Sequence, residues 1–335
     1  EAARETIATH LNCAHAHELI FTSGTTDSIN LVSNTLALSG KISAGDKIII
    51  SALEHHANIV PWQMLCQRTG ASLEIIPIHE DGTFDMEAYQ GMLDESVKLV
   101  SISHVSNALG TVNPVSTIIS MAKQHDALVL VDGAQAAPHF NIDVQELNCD
   151  FYVFSGHKIY GPTGIGILYG KEQILNELPP WRGGGEMIKE VTFEHTTYND
   201  LPFKYEAGTP DIEGAIAMAA AIDYMNTIGM EKIAAHESYL EQKTTAALKE
   251  INGIKLYGTA PQKAAVVSFR IEGIHHYDLG TLLDQMGVAV RTGHHCCQPL
   301  MARYGITGTV RASFAAYNTE QEVDAFIEAL NKATR

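Results

Sequence analysis

Positive charge is scarce in this chain. Lys+Arg number 22 against Asp+Glu 39, a formal charge of −17, which argues against a nucleic-acid footprint or a polybasic membrane anchor. Long apolar runs are also missing: none approaches the roughly 20 residues that cross a bilayer. The N-terminus, EAARETIATHLNCAHAHELIF, is neither basic nor built like a signal peptide. Cysteines are few and odd in number, Cys13, Cys66, Cys149, Cys296 and Cys297, unlike the dense even spacing of a secreted disulfide scaffold. A cytoplasmic protein acting on small molecules is expected. The chain opens without Met inside a helical stripe of Ala3, Ile7 and Leu11, so a fragment of a longer protein is also expected.

What is present is enough chain, 335 residues, for a large and a smaller domain. Strand-like runs begin at Glu18, Lys47, Ser72, Lys98, Ala127, Phe151 and Ile165, with room for crossover helices between most of them. That alternation predicts a mainly parallel sheet covered by helices, with ligands bound beyond the carboxyl ends of the strands. The expected boundary lies near Asn226, giving a large domain over residues 1–226 and a smaller α/β domain over 227–335. In the smaller domain AVVSFRI from Ala265, VAVRT from Val288 and VRASF from Val310 read as strands, and Thr319 with Glu322 forms a capping box. PPWRGGGEMI, residues 179–188, reads as a protruding loop.

The predicted strand ends carry the polar residues. LVLVDGAQAAPHF ends a run at Asp132 with Gln135 three residues on, and FYVFSGHKIYGPTGIG ends another at Ser155, His157 and Lys158. An acid at one strand end and a lysine at the next suit a cofactor with a cationic ring nitrogen and an aldehyde, pyridoxal phosphate. Lys158 is then the Schiff-base lysine, Asp132 the partner of the ring nitrogen and Gln135 a donor to the ring hydroxyl. Taken singly, Lys158 also reads as a solvated surface lysine and Asp132 as a helix N-cap. SGTTDSINLVSNTL, with Thr25 and Thr26 at a helix start, suits a phosphate or a simple cap. His55 in EHHANIV can stack on a planar ring or cap a loop, and Asn107 in SHVSNALGTVNP can bind a ligand or shape a turn.

RTGHHCCQPLM places Cys296 among Arg291, His294 and His295, cationic neighbours that favour the thiolate a nucleophile needs. Contiguous HHCC ligands point in different directions, whereas zinc sites use spaced pairs, so no metal site is expected. Cys297 reads as a packing residue or a partner for reversible oxidation. Arg291 and Arg311 are candidates for a substrate carboxylate, with Arg311 preferred because a strand holds it.

Together VDGAQAAPH, FSGHKIYGPTGIGILYG, EHHANIVPWQ, SHVSNALGT, KYEAGTP and RTGHHC resemble the SufS-type (group II) cysteine desulfurases of the class V aminotransferases, over essentially the whole chain and in the same order. The resemblance implies a fold type I pyridoxal phosphate enzyme, α/β, with a mainly parallel seven-stranded sheet in a large domain plus a smaller C-terminal α/β domain. It implies that Lys158 carries the cofactor, that Asp132 and Gln135 contact its ring, and that His55 stacks on it. Thr26, Ser155 and His157, with Thr25 beside them, would hold the phosphate, and Thr209 would reach across from a second subunit of a homodimer. Asn107 and Arg311 would bind the carboxylate of L-cysteine, and Cys296 would form the persulfide, producing L-alanine and supplying sulfur for iron–sulfur cluster assembly through an acceptor protein of the SufE or SufU type. GGGEMI resembles a hook laid near the partner subunit's site.

Two departures accompany the resemblance. Family members usually have a small residue such as Ala where this chain has Cys297. The chain also begins several dozen residues late, without the Ala-Thr-Thr segment that helps wall the family's site. Selenocysteine lyase of the same fold, or a catalytically impaired N-terminally truncated form, are the alternative readings.

Overall fold

The structure is a computed structural model and describes residues 1–334. Seven runs of mostly β-branched and aliphatic residues form the main sheet: β1 (Leu19–Thr22), β2 (Lys47–Ser51), β3 (Ser72–Ile76), β4 (Val97–Ser103), β5 (Leu128–Asp132), β6 (Phe151–Ser155) and β7 (Gly166–Gly170). Their order is β1-β7-β6-β5-β4-β2-β3. The contacts from β3 through β2, β4 and β5 to β6 are parallel, and β7 runs antiparallel to both its neighbours. The mainly parallel sheet expected from the alternating pattern is therefore the one observed.

Parallel strands are covered on both faces, which is why they read as continuous apolar runs. Along β5, Val129 and Val131 point into one core with Ile118 and Ala122 of the helix Val115–Lys123. Leu130 points to the other face, with Ile29, Val32 and Leu36 of the helix Thr25–Ser39 and Trp62 and Leu65 of the helix Val60–Thr69. Every parallel strand consequently ends on the same edge of the sheet, and the loops beyond that edge carry the candidate residues.

After β7 comes a hairpin, β8 (Ile188–Val191) with β9 (Thr196–Tyr198). PPWRGGGEMI, read as a loop, leads directly into it; the hairpin escaped notice because most of its residues are exposed, leaving no alternation of buried and solvent positions. The helix Ile212–Ile228 packs into the first core through Met218, Ile222 and Met225, and Asn226 lies in its last turn. Gly229, at φ 96°, turns the chain into the helix Met230–Lys249.

A second sheet follows, antiparallel, of β10 (Ile254–Tyr257), β11 (Val266–Ile271), β12 (Arg291–Gly293) and β13 (Thr309–Ser313), in the order β10-β11-β13-β12. The strand expected from Val288 begins only at Arg291; the Val288 N–H instead closes the end of the preceding helix on Leu283 O at 3.0 Å. Leu279, Leu283, Val323, Phe326 and Leu330 from two flanking helices cover this sheet. Thr319 and Glu322 form the expected capping box. The loop after β4 joins the two sheets: Ser268 Oγ on β11 donates to Ala108 O at 2.5 Å, and the Val112 N–H donates to Gln262 O at 3.1 Å.

Candidate active site

The strand ends and the seam between the sheets enclose a cavity of about 460 Å³. All the candidate residues line it except Cys296 and Thr209: Thr25 and Thr26 after β1, His55 after β2, Asn107 after β4, Asp132 and Gln135 after β5, Ser155, His157 and Lys158 after β6, and Arg291 and Arg311 from the second sheet. Residues more than 280 positions apart in sequence thus meet in one space.

One wall is the start of the helix Thr25–Ser39. Its first N–H, that of Thr25, donates to Ser155 Oγ at 2.8 Å, and the two hydroxyls are also 2.8 Å apart. Gly24 lies at φ 146°, and a Cβ on Gly166 of β7 would sit 2.4 Å from Gly24 Cα. Only glycine on β7 lets the helix start come this close to the end of β6. Free N–H groups at a helix start, with hydroxyls beside them, make an anion cradle.

At the end of β5 the buried Asp132 Oδ1 accepts from the Ala134 N–H at 3.0 Å. Burial raises its pKa, and the positive charge of Lys158 works against that. For Lys158 desolvation lowers the pKa, Asp132 raises it, and Arg311 and Arg291 lower it again. The lysine is therefore more easily freed of its proton than a surface lysine, as a nucleophilic amine requires. A Cβ on Gly133 would lie 2.1 Å from the Tyr152 ring, so the turn after Asp132 requires a residue with no side chain.

His55 Nδ1 accepts from the Ala57 N–H at 3.0 Å. Desolvation, then Lys158, His56 and Arg291, bring its pKa down to about 4, so the ring is neutral at physiological pH. Beneath it lies a buried acid that sequence reasoning passed over. Glu54 accepts from Ser51 Oγ at 2.5 Å, Asn58 Nδ2 at 2.6 Å and the Ser103 N–H at 3.1 Å. Burial, outweighing these bonds, pushes its pKa up to about 7.

The opposite wall is cationic. Arg311 Nη1 donates to Asn107 O at 2.6 Å, while its Nε is buried with no hydrogen-bond partner among the described residues. Asn107 Nδ2 donates to His295 O at 2.7 Å. Cys296, half-buried, stands beside the cavity with Arg291 Nη2 3.8 Å from its Sγ. The four side chains of HHCC go to different neighbours: His294 Nδ1 accepts from the Cys296 N–H, His295 Nε2 pairs with Thr309 Oγ1 at 2.9 Å, and Cys297 Sγ donates to Asn107 Oδ1 at 3.1 Å. Cys297 is fully buried and its thiol is pushed up to about 12 by desolvation, which makes it a packing residue. Thr209 is exposed and borders a separate depression with Trp181, Arg182 and Glu206.

Several wall residues had no sequence signal. Ala57, Val105 and Ala134 line the cavity through small or apolar side chains that look like any core residue. Glu54 takes two donors, Ser51 and Asn58, from its own stretch of chain and a third, the Ser103 N–H, from β4, a pairing that no local pattern shows.

Known proteins share this arrangement of chain. The Aminotransferase class-V family profile matches residues 1–326. A cysteine desulfurase of Salmonella agona (strain SL483) is 51% identical over 336 aligned residues, covering 100% of this chain and 82% of the relative. Among solved structures, the cysteine desulfurase CsdA of Escherichia coli, in an S-sulfonic acid form, superposes with a TM-score of 0.95 at 40% identity, over 99% of this chain and 83% of that one. An apo cysteine desulfurase of Thermococcus onnurineus NA1 does so with a TM-score of 0.95 at 39% identity, over 99% and 82%. With its sheet order, its cavity beyond the strand ends and these matches, the chain belongs to the class-V aminotransferase family and has its fold type I architecture.

Proposed function

We propose that the cavity holds pyridoxal 5′-phosphate and that the protein is a cysteine desulfurase, converting L-cysteine to L-alanine and retaining the sulfur as a persulfide on Cys296. The observation that carries this reading is the placement of Lys158 and Asp132 on one side of a single cavity, with Arg311 and the Cys296 loop on the other.

The residues present suit that cofactor. Asp132 is a buried carboxylate whose environment calls for a cationic partner, which a protonated ring nitrogen provides. Thr25, Thr26, Ser155 and His157 offer the anion cradle, and neutral His55, its Nδ1 already occupied, has a ring face free to stack. Bound there, pyridoxal phosphate supplies an aldehyde for the substrate amine and a ring that takes up electron density from the substrate α-carbon.

The chain's own groups do the rest. Asp132 keeps a proton at the ring nitrogen, and Gln135 donates to the ring hydroxyl. Asn107 and the Arg311 guanidinium, both lining the cavity, hold the substrate carboxylate. Lys158 Nζ, once free, removes the proton from the substrate α-carbon. Cys296 Sγ, as thiolate, attacks the substrate sulfur; the new S–S bond forms as the substrate C–S bond breaks, the Cβ takes a proton, and Lys158 returns the proton it removed to the α-carbon, giving alanine.

In this reading residues 1–226 bind the cofactor and residues 227–335 carry the nucleophile. Thr209, outside the cavity, completes the phosphate site of a second copy in a homodimer. The persulfide passes to an acceptor protein of the SufE or SufU type for iron–sulfur cluster assembly in the cytoplasm. Spectroscopy tests the cofactor: the purified protein is expected to be yellow, with a band that borohydride abolishes and that Lys158→Ala lacks. A colourless wild-type protein after incubation with the cofactor overturns the reading.

A further inference from the structure

Cys296 stands on an unusual piece of backbone. His295 and Cys296 are consecutive residues at φ 53° and 58°, in the left-handed region that side chains other than glycine rarely occupy. Two such residues in succession persist only where their surroundings hold them. On one flank Asn107 Nδ2 holds His295 O at 2.7 Å. On the other, a single residue makes two bonds that bracket the turn: the His56 N–H donates to Cys296 O at 2.8 Å, and His56 Nε2 accepts from the Gln298 N–H at 3.1 Å. The His56 ring also faces that of His294, with centroids 5.6 Å apart, and His294 Nδ1 accepts from the Cys296 N–H at 3.0 Å.

We propose that His56 is a positioning residue that locks the left-handed turn carrying Cys296 and, as the chain neighbour of His55, keeps the nucleophile in register with the cofactor face. This rests on the reading of Cys296 as the sulfur-accepting thiol. An acceptor at Nε2 places the imidazole proton on Nδ1. A Gln side chain at position 56 can bring its Oε1 to the place of Nε2 and accept the same N–H; Asn is one methylene too short, and Ala has no acceptor.

The test is hydrogen–deuterium exchange of the cofactor-loaded protein, read by mass spectrometry on a peptide spanning residues 292–300, beside steady-state alanine release from L-cysteine. In His56→Ala the loop peptide is expected to exchange at least about 5-fold faster, while cofactor absorbance and Tm stay as in wild type. In the same variant kcat is expected to fall at least about 5-fold with KM unchanged, the pattern of a misplaced reacting group. His56→Gln restores both; His56→Asn resembles Ala. Wild-type exchange or wild-type kcat in His56→Ala overturns the proposal, as does identical behaviour of Gln and Asn, a comparison that decides even if the Ala variant fails to fold. If the wild type releases no alanine, the desulfurase reading falls, and the exchange rates alone decide the lock.

Discussion

Arg291 and Arg311 lie directly opposite each other on β12 and β13, two cations side by side at the rim of one cavity. Like charges so placed repel, and burial together with Arg291 brings the Arg311 pKa down to about 10. Such a pair is suited to an anion that arrives from outside. Arg311→Met is expected to lower kcat/KM for cysteine about 10- to 100-fold, the loss of a charge-assisted hydrogen bond. It removes a buried unpaired donor and a like-charge contact, which offset the lost bond to Asn107 O, so Tm is expected to stay within about 5 °C of wild type. Steady-state kinetics and a thermal melt check both halves; unchanged kcat/KM contradicts the carboxylate role.

The two vicinal cysteines are expected to separate under alkylation. Cys296 is half-buried beside Arg291, whereas the Cys297 thiol is fully buried and donates to Asn107 Oδ1. Iodoacetamide on the native protein at about pH 8 should modify Cys296 and spare Cys297, whose thiol at about 12 is almost entirely protonated there. Peptide mass spectrometry reads the result; modification of Cys297 ahead of Cys296 contradicts it. Cys297→Ala is expected to cost about 1–2 kcal/mol in urea unfolding, from lost packing and a lost hydrogen bond.

Glu54 makes stability depend on pH in a defined direction. Its pKa, ordinarily 4.5, is raised to about 7 by burial, so the folded protein binds this proton more tightly than the unfolded chain does. The stability linked to it is complete below the unfolded value and is lost as pH rises through about 7. Between about pH 4.5 and about pH 7 wild type should therefore lose on the order of 2–3 kcal/mol relative to Glu54→Gln. Urea unfolding of both proteins at several pH values measures this. A wild-type minus variant difference that does not change with pH would falsify the assignment.

Much of the site was legible because its chemistry sits where strands stop. The apolar runs of β5 and β6 end in Asp132 and Ser155, and a parallel sheet puts such ends on one edge, so Asp132, Gln135, Ser155, His157 and Lys158 could be grouped before any coordinates. Arg311 was legible from its strand. The start of β12 was not, since VAV has strand composition but its residues follow a helix end and pair with nothing until Arg291. Glu54 was hidden because an acidic residue is normally read as exposed, and only Ser51, Asn58 and Ser103 together make its burial tolerable. The left-handed backbone at His295 and Cys296 was equally hidden, since Cys does not announce positive φ and a lone His does so only weakly.

The most direct test of the account is the fate of the sulfur. The cofactor-loaded protein is mixed with L-cysteine without reductant, digested, and searched by mass spectrometry for a peptide heavier by one sulfur atom, with alanine measured in the same sample. The account predicts the added sulfur on Cys296, alanine formed in equal amount, and neither in Cys296→Ala. Alanine formed at the wild-type rate by Cys296→Ala, or added sulfur on Cys297 with Cys296 unmodified, would contradict it.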